Sequence, residues 1–130
     1  MESSCSSDTL TETLRGARVL VVEDDPLITF AIEDMIDDLG CVLAGSAASV
    51  AEALPLVAAA SFDVALIDLH LGDELALPVA EAVRSLGKPF LFASGLDEAP
   101  EGFADAPRLP KPYRIERLAQ GLCEALLRPS

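Results

Sequence analysis

Four carboxylates stand directly after short apolar runs, at places where a buried strand would end. Glu23, Asp24 and Asp25 follow the run RVLVV, and Asp68 follows the run DVALI. Carboxylates that crowd at one rim repel one another, and a hard divalent cation relieves that repulsion. Magnesium accepts one or two carboxylates, keeps several waters and takes phosphate oxygens for its remaining positions. These acids therefore indicate a magnesium site that handles phosphoryl groups.

A hydroxyl and an ammonium group follow two later apolar segments. Ser94 comes after the run PFLFA, and Lys111 comes shortly after Arg108 and Leu109. A lone aspartate at the centre of an acidic cleft can attack phosphorus and carry an acyl phosphate. A cation and a lysine then neutralise charge on the phosphoryl oxygens, and a nearby hydroxyl donates a hydrogen bond to one of them. Asp68 is the candidate nucleophile, and Ser94 and Lys111 are candidate phosphoryl-binding groups.

The pattern of apolar residues predicts how the chain brings these groups together. Short strand-like runs alternate with segments whose apolar residues recur every three to four positions. We predict strands over residues 18–22, 41–46, 63–67, 89–93 and 108–109, and helices over residues 27–39, 50–60, 75–86 and 114–127. A further helix, the fourth in chain order, would lie within residues 97–107, where two prolines and Gly102 make it short or irregular.

This alternation predicts an α/β fold of the flavodoxin-like type. We expect a doubly wound, five-stranded parallel sheet with strand order 2-1-3-4-5 and about five helices. Ligands of such sheets bind outside the carboxyl ends of the strands, where the candidate residues stand. Residues 16–130 are predicted to form one domain, and residues 1–15, rich in Ser and Thr, are predicted to be a flexible tail.

The charge of the chain is unevenly distributed. The formal net charge is -13, and residues 19–83 hold thirteen acids and no Lys or Arg, whereas the rest of the chain holds nine of each sign. Such a surface excludes direct nucleic-acid binding, because the phosphate backbone would repel it. The predicted helix 27–39 carries four acids on its polar side, and they are Glu33, Asp34, Asp37 and Asp38. They either select partners with a basic complement or only keep the protein soluble.

The sequence also bears on the compartment. The N-terminus lacks the basic start and apolar stretch of a signal peptide, and no run of about eighteen apolar residues could span a membrane. Three cysteines, Cys5, Cys41 and Cys123, show no metal-ligand spacing. We therefore expect a cytoplasmic protein with reduced, mostly buried thiols and no membrane partner.

Four segments in this order resemble the receiver domain of bacterial two-component response regulators. They are VLVVEDDPL, DVALIDLHLGD, FLFASG and LPKPY, and the resemblance covers residues 17–128. It implies that Glu23 and Asp24 bind Mg²⁺ and that Asp68 is phosphorylated by a histidine kinase or a histidine phosphotransfer protein. It also implies that His70 offers its backbone carbonyl to the metal, together with Asp68. Ser94 and Lys111 match the switch hydroxyl and the lysine of the family.

The chain departs from the family pattern at a few positions. Arg108 stands three residues before the lysine, where many receivers carry an aromatic switch residue. PFLFASGL also resembles the PFxFATGY signature of a subset of single-domain receivers associated with general stress signalling, although Ser94 replaces Thr and Leu96 replaces Tyr. His70, Leu96 and Arg108 are therefore candidates for tuning the site. Tyr113, after LPKP, is expected to pack at the start of the last helix.

Several functions fit these residues. The resemblance implies a single-domain response regulator that signals through contacts with a downstream protein or drains phosphate as a sink or relay. Such a switch is not an enzyme beyond phosphorylating and dephosphorylating itself. The alternative is a pseudo-receiver, a protein-binding module that phosphorylation does not regulate. An aspartyl-nucleophile phosphatase is disfavoured because His70 stands where a second Asp is usual. A flavin carrier is disfavoured because the acids at 23–25 would repel the flavin phosphate.

Overall fold

The fold is built on a five-stranded parallel sheet, seen in a computed structural model that describes residues 6–94, 102–103, 108–110 and 113–127. In chain order the strands are β1 (Arg18–Val22), β2 (Val42–Ala47), β3 (Val64–Asp68), β4 (His70–Leu71), β5 (Glu74–Leu75), β6 (Phe90–Ser94) and β7 (Arg108–Pro110). The sheet has the order β2-β1-β3-β6-β7, and the short strands β4 and β5 pair as a separate hairpin. Without the hairpin this order is 2-1-3-4-5, which confirms the predicted fold.

The helices of the described chain are α1 (Ser7–Leu14), α2 (Pro26–Asp38), α3 (Val50–Ala59), α4 (Leu77–Ser85) and α5 (Ile115–Leu127). The last four begin and end within two residues of the predicted helices. The helix predicted within residues 97–107 falls almost entirely outside the described residues. No helix in the described ranges is long and apolar enough to cross a membrane.

Both faces of the sheet are covered, because successive side chains of a strand point to opposite sides. Val19 and Val21 of β1 join one core cluster with side chains of α2 and α5, whereas Leu20 and Val22 join another with side chains of α3 and α4. All four residues are at most 1% exposed. With both faces filled, the carboxyl edge of the sheet is where polar groups from several strands can meet.

The predicted flexible tail is wrong for residues 7–14, which form α1. The hydroxyl of Ser6 caps the helix by accepting a hydrogen bond from the backbone N–H of Thr9 at 3.4 Å. Leu14 is 2% exposed within the cluster that contains α5 side chains, and Leu10 packs against the same cluster. The buried Leu14 and the partly buried Leu10, one turn apart, anchor a helix whose other residues are mostly polar. Residues 1–5 lie outside the described residues.

The two described cysteines lie in the core. Cys41 and Cys123 are buried and form no disulfide, as expected for reduced core thiols. Burial raises the pKa of the Cys41 thiol to about 11, so little thiolate is present at neutral pH. Cys5 lies outside the described residues.

Candidate functional site

Three carboxylates meet at the carboxyl edge of the sheet. Glu23 and Asp24 directly follow β1, and Asp68 ends β3, the strand beside it. One carboxylate oxygen from each residue lies within 4.8 Å of the others. Glu23 and Asp68 are buried, at 4% and 6% exposed, whereas Asp24 is exposed. The parallel register of β1 and β3, which sets Val22 beside Ile67, produces this convergence. We call these three residues the acidic cluster.

Backbone hydrogen bonds hold Glu23 at the start of the first loop. Its backbone N–H donates to the carbonyl of Ala47 at 2.9 Å, so β2 holds the loop in place. Its carboxylate accepts the backbone N–H of Asp25 at 3.1 Å. Asp25 itself accepts the N–H of Leu27 at 2.9 Å and caps α2, just before Pro26. Of the three consecutive acids, Glu23 and Asp24 therefore belong to the acidic cluster, and Asp25 caps α2.

The β4–β5 hairpin lies beside the acidic cluster. The backbone N–H of His70 donates a hydrogen bond of 3.1 Å to Oδ1 of Asp68. His70 pairs with Leu75 across the hairpin, and its side chain is exposed at the edge of the site. Gly72 turns the hairpin with φ +63°, and a Cβ at this position would lie 3.9 Å from Oδ2 of Asp24. The left-handed turn thus brings the backbone close to the acids.

The structure describes the other predicted site residues only in part. Ser94 ends β6, whose neighbour β3 sets Asp68 beside Ala93, so its backbone lies at the same edge. Arg108 begins β7 beside Phe92 and is exposed. Lys111 and Leu96 lie outside the described residues. Their roles, and that of the Ser94 side chain, stay predictions.

A tyrosine also lies near the acidic cluster, although the sequence predicts only that it packs at the start of the last helix. Tyr113 lies between β7 and α5 and packs against the core cluster shared with α2 and α5. Its hydroxyl is buried and has no hydrogen-bond partner among the described residues. Burial first, and then the negative charges of Glu23 and Asp68, raise the pKa of the phenol. A tyrosine hydroxyl therefore lies within electrostatic reach of two members of the acidic cluster.

The acidic cluster fits a hard divalent cation. Its donors are carboxylate oxygens alone, the ligand type that magnesium, calcium and manganese prefer over the sulfur and imidazole donors typical of zinc. Burying two carboxylates this close together is costly unless a positive charge compensates them. Glu23, Asp24 and Asp68 would hold the cation, which leaves its other positions for water and phosphate oxygens.

An acidic groove leads away from the cluster along α2. It has a volume of about 290 Å³, and its lining includes Asp24, Phe30, Glu33 and Glu52. Leu27 and Phe30, on the first turns of α2, are 81% and 74% exposed. Phe30 gives the acidic groove an exposed apolar side chain, and Leu27 adds another on the same helix beside the cluster. Exposed apolar surface rimmed by polar residues marks sites of protein binding.

Comparison with known proteins identifies the same fold and family. The family model of the response regulator receiver domain matches residues 19–98. The solution structure of SdrG from Sphingomonas melonis Fr1 is 38% identical, with a TM-score of 0.77 over 87% of this chain and 98% of that chain. The receiver domain of the Erythrobacter litoralis response regulator PhyR is 25% identical, with a TM-score of 0.77 over 90% and 95%.

The chain is also similar in structure to a chemotaxis protein. Vibrio cholerae CheY4 is 26% identical, with a TM-score of 0.74 over 85% of this chain and 99% of that chain. The search of curated proteins gives no match.

Proposed function

The chain belongs to the response regulator receiver domain family, and from this premise we propose that it is a phosphoacceptor switch whose phosphorylated residue is Asp68. The donor is a histidine kinase or a histidine phosphotransfer protein, and the reaction requires Mg²⁺. The observation that carries the proposal is the meeting of a buried Asp68 with Glu23 and Asp24 at the edge of the sheet. This family is a class of switch, so we propose no catalytic activity beyond self-phosphorylation and self-dephosphorylation.

The chemistry follows from the placement of Asp68. A carboxylate oxygen of Asp68 forms the new bond to phosphorus while the bond between phosphorus and the donor's leaving group breaks. The His70 N–H orients Oδ1 of the nucleophile. Magnesium, when bound, supplies charge neutralisation for the transferred phosphoryl oxygens. Glu23, Asp24 and Asp68 would hold the cation together with the His70 carbonyl, and Lys111 and Ser94 would bind the phosphoryl group.

The surface beside the acidic cluster supports a protein partner. The groove and the exposed Leu27 and Phe30 lie next to the two acids that follow β1. A kinase or phosphotransfer protein must bring its phosphohistidine to Asp68, so its docking surface has to border the cluster. We propose that the switch acts in the cytoplasm and that its output is either binding to a downstream protein or draining phosphate from the kinase.

Phosphorylation with a small donor tests the proposal. The protein is incubated with acetyl phosphate and Mg²⁺, and its intact mass is followed with and without a metal chelator. We expect the mass to rise by one phosphoryl group, only with Mg²⁺, and Asp68→Ala to remain unmodified. Lys111→Ala is expected to take up phosphate poorly and to fail to switch. An unmodified parent protein, or equal modification of Asp68→Ala, contradicts the proposal, and the first outcome favours the pseudo-receiver.

A further inference from the structure

The Tyr113 hydroxyl is a buried polar group that the proposed chemistry does not yet use. Among the described residues it has no hydrogen-bond partner, although the ring packs well against the core. Leaving a buried hydroxyl without a partner costs free energy that a phenylalanine at the same position would avoid. A tyrosine here is therefore a poor choice for packing alone, and a partner that arrives only in another state of the protein would explain it.

The position of Tyr113 indicates where that partner arrives. The residue follows β7 and precedes α5, so it stands at the same edge of the sheet as the acidic cluster. Burial raises the pKa of the phenol most, and the negative charges of Glu23 and then Asp68 raise it further. A tyrosine phenol is protonated at neutral pH in any case, so the buried hydroxyl of Tyr113 is available as a hydrogen-bond donor at this edge of the sheet.

We propose that Tyr113 is a positioning residue of the phosphoacceptor site, whose hydroxyl donates a hydrogen bond to an anionic or metal-bound oxygen of the loaded cluster. This inference rests on the proposed function. Loading brings a cation, its waters and phosphoryl oxygens to Glu23 and Asp68, and these oxygens are strong acceptors. A donor held ready in a buried setting stabilises the loaded state more than one exposed to water. The unsatisfied hydroxyl of the free state thus favours loading.

Tyr113→Phe tests the proposal because it removes one oxygen and keeps the ring. Binding of Mg²⁺ alone and of beryllofluoride with Mg²⁺ is measured by calorimetry for the parent and the variant. A lost hydrogen bond to a charged acceptor predicts an affinity roughly tenfold lower or weaker still. Weaker binding of Mg²⁺ alone would assign the acceptor to the cation's ligands and waters, and weaker binding of beryllofluoride only would assign it to the phosphoryl oxygens.

Two further measurements separate this role from packing. The chain has one tyrosine and no tryptophan, so the tyrosine absorption band and tyrosine fluorescence report on Tyr113 alone. We expect both signals to change when the parent protein is loaded. We also expect Tyr113→Phe without ligand to unfold at an equal or higher denaturant concentration, since the variant loses an unsatisfied group and no contact.

The outcomes distinguish this inference from the proposed function. If the parent protein binds neither Mg²⁺ nor beryllofluoride, the proposed function fails. If the parent binds them and Tyr113→Phe binds with equal affinity, the inference alone fails. A variant that is less stable than the parent without ligand also overturns the inference, because it shows that the hydroxyl already has a partner in the free state.

Discussion

The backbone N–H of His70 donates a hydrogen bond of 3.1 Å to Oδ1 of Asp68. The hairpin that follows β3 thus orients the candidate nucleophile through the main chain, two residues after the nucleophile itself. The imidazole of His70 is exposed at the edge of the site and is not needed for this contact. His70 therefore has two separable roles. Its backbone positions Asp68, and its side chain can influence the lifetime of the acyl phosphate.

The first prediction separates these two parts. His70→Ala keeps the N–H and the carbonyl, so acetyl phosphate should phosphorylate it at the same initial rate as the parent. The lifetime of the acyl phosphate should change, because the side chain at the rim no longer influences how water reaches it. Intact-mass measurement over time gives both quantities. A variant that cannot be phosphorylated would show that the imidazole, and not the backbone, is essential.

The second prediction concerns magnesium. Asp24 belongs to the acidic cluster, whereas the adjacent Asp25 caps α2. Asp24→Asn should weaken Mg²⁺ binding by roughly 10–100-fold or more, the loss already seen when only supporting residues of metal sites are changed. Asp25→Asn changes the charge equally but keeps a good cap, so its Mg²⁺ affinity should stay near that of the parent. Calorimetric titration compares the pair. Equal losses in both variants would mean that only the overall charge matters.

A third prediction tests whether α1 is part of the domain. Leu14 is 2% exposed in the cluster shared with α5. Leu14→Ala should lower the free energy of unfolding by about 2–5 kcal/mol, through lost burial and a cavity. Leu127→Ala, at a position 46% exposed, should change it by less than about 0.5 kcal/mol. Urea unfolding followed by circular dichroism measures both variants. A Leu14→Ala protein as stable as the parent would show that α1 does not stabilise the domain.

The elements that the sequence predicts best are those with a repeated pattern. The sheet strands β1, β2 and β3 and the helices α2, α3 and α4 show apolar periodicity over five or more residues or a β-branched run, and their observed ends lie within a few residues of the predicted ends. The sequence does not predict α1, because two leucines four residues apart are its only strong apolar signal in a Ser- and Thr-rich segment. The sequence does not predict the β4–β5 hairpin either, because two-residue strands are too short to show alternation.

The sequence likewise predicts some residues of the site and not others. Glu23, Asp24 and Asp68 were predicted to converge because the ends of neighbouring parallel strands must lie together, and the structure brings them within 4.8 Å. The buried hydroxyl of Tyr113 could not be predicted, because its surroundings come from α2, α5 and the two acids. The only sequence signal was its place shortly after Lys111, in a segment already assigned to the edge of the sheet.

The fourth prediction concerns recognition by the kinase. Asp37 and Asp38 are exposed near the end of α2. If the acidic side of α2 selects basic partners, Asp37→Lys with Asp38→Lys should slow phosphotransfer and reduce its dependence on salt. Glu81→Lys with Glu124→Lys, two exposed acids on α4 and α5, changes the net charge equally and should leave phosphotransfer near the parent rate. Initial rates at two salt concentrations compare the variants. Unchanged kinase preference and salt dependence in the Asp37 and Asp38 variant would leave the acids with a solubilising role only.

The central claim is that Asp68, among the three acids of the cluster, carries the phosphoryl group. Borohydride reduces an acyl phosphate to an alcohol and so converts a phosphorylated aspartate to homoserine. The protein is phosphorylated with acetyl phosphate and Mg²⁺, reduced, digested and mapped by peptide mass spectrometry. We predict homoserine at position 68 and unmodified acids at positions 23 and 24. Reduction at another acid, or no reduced residue in a protein that binds Mg²⁺, contradicts the account.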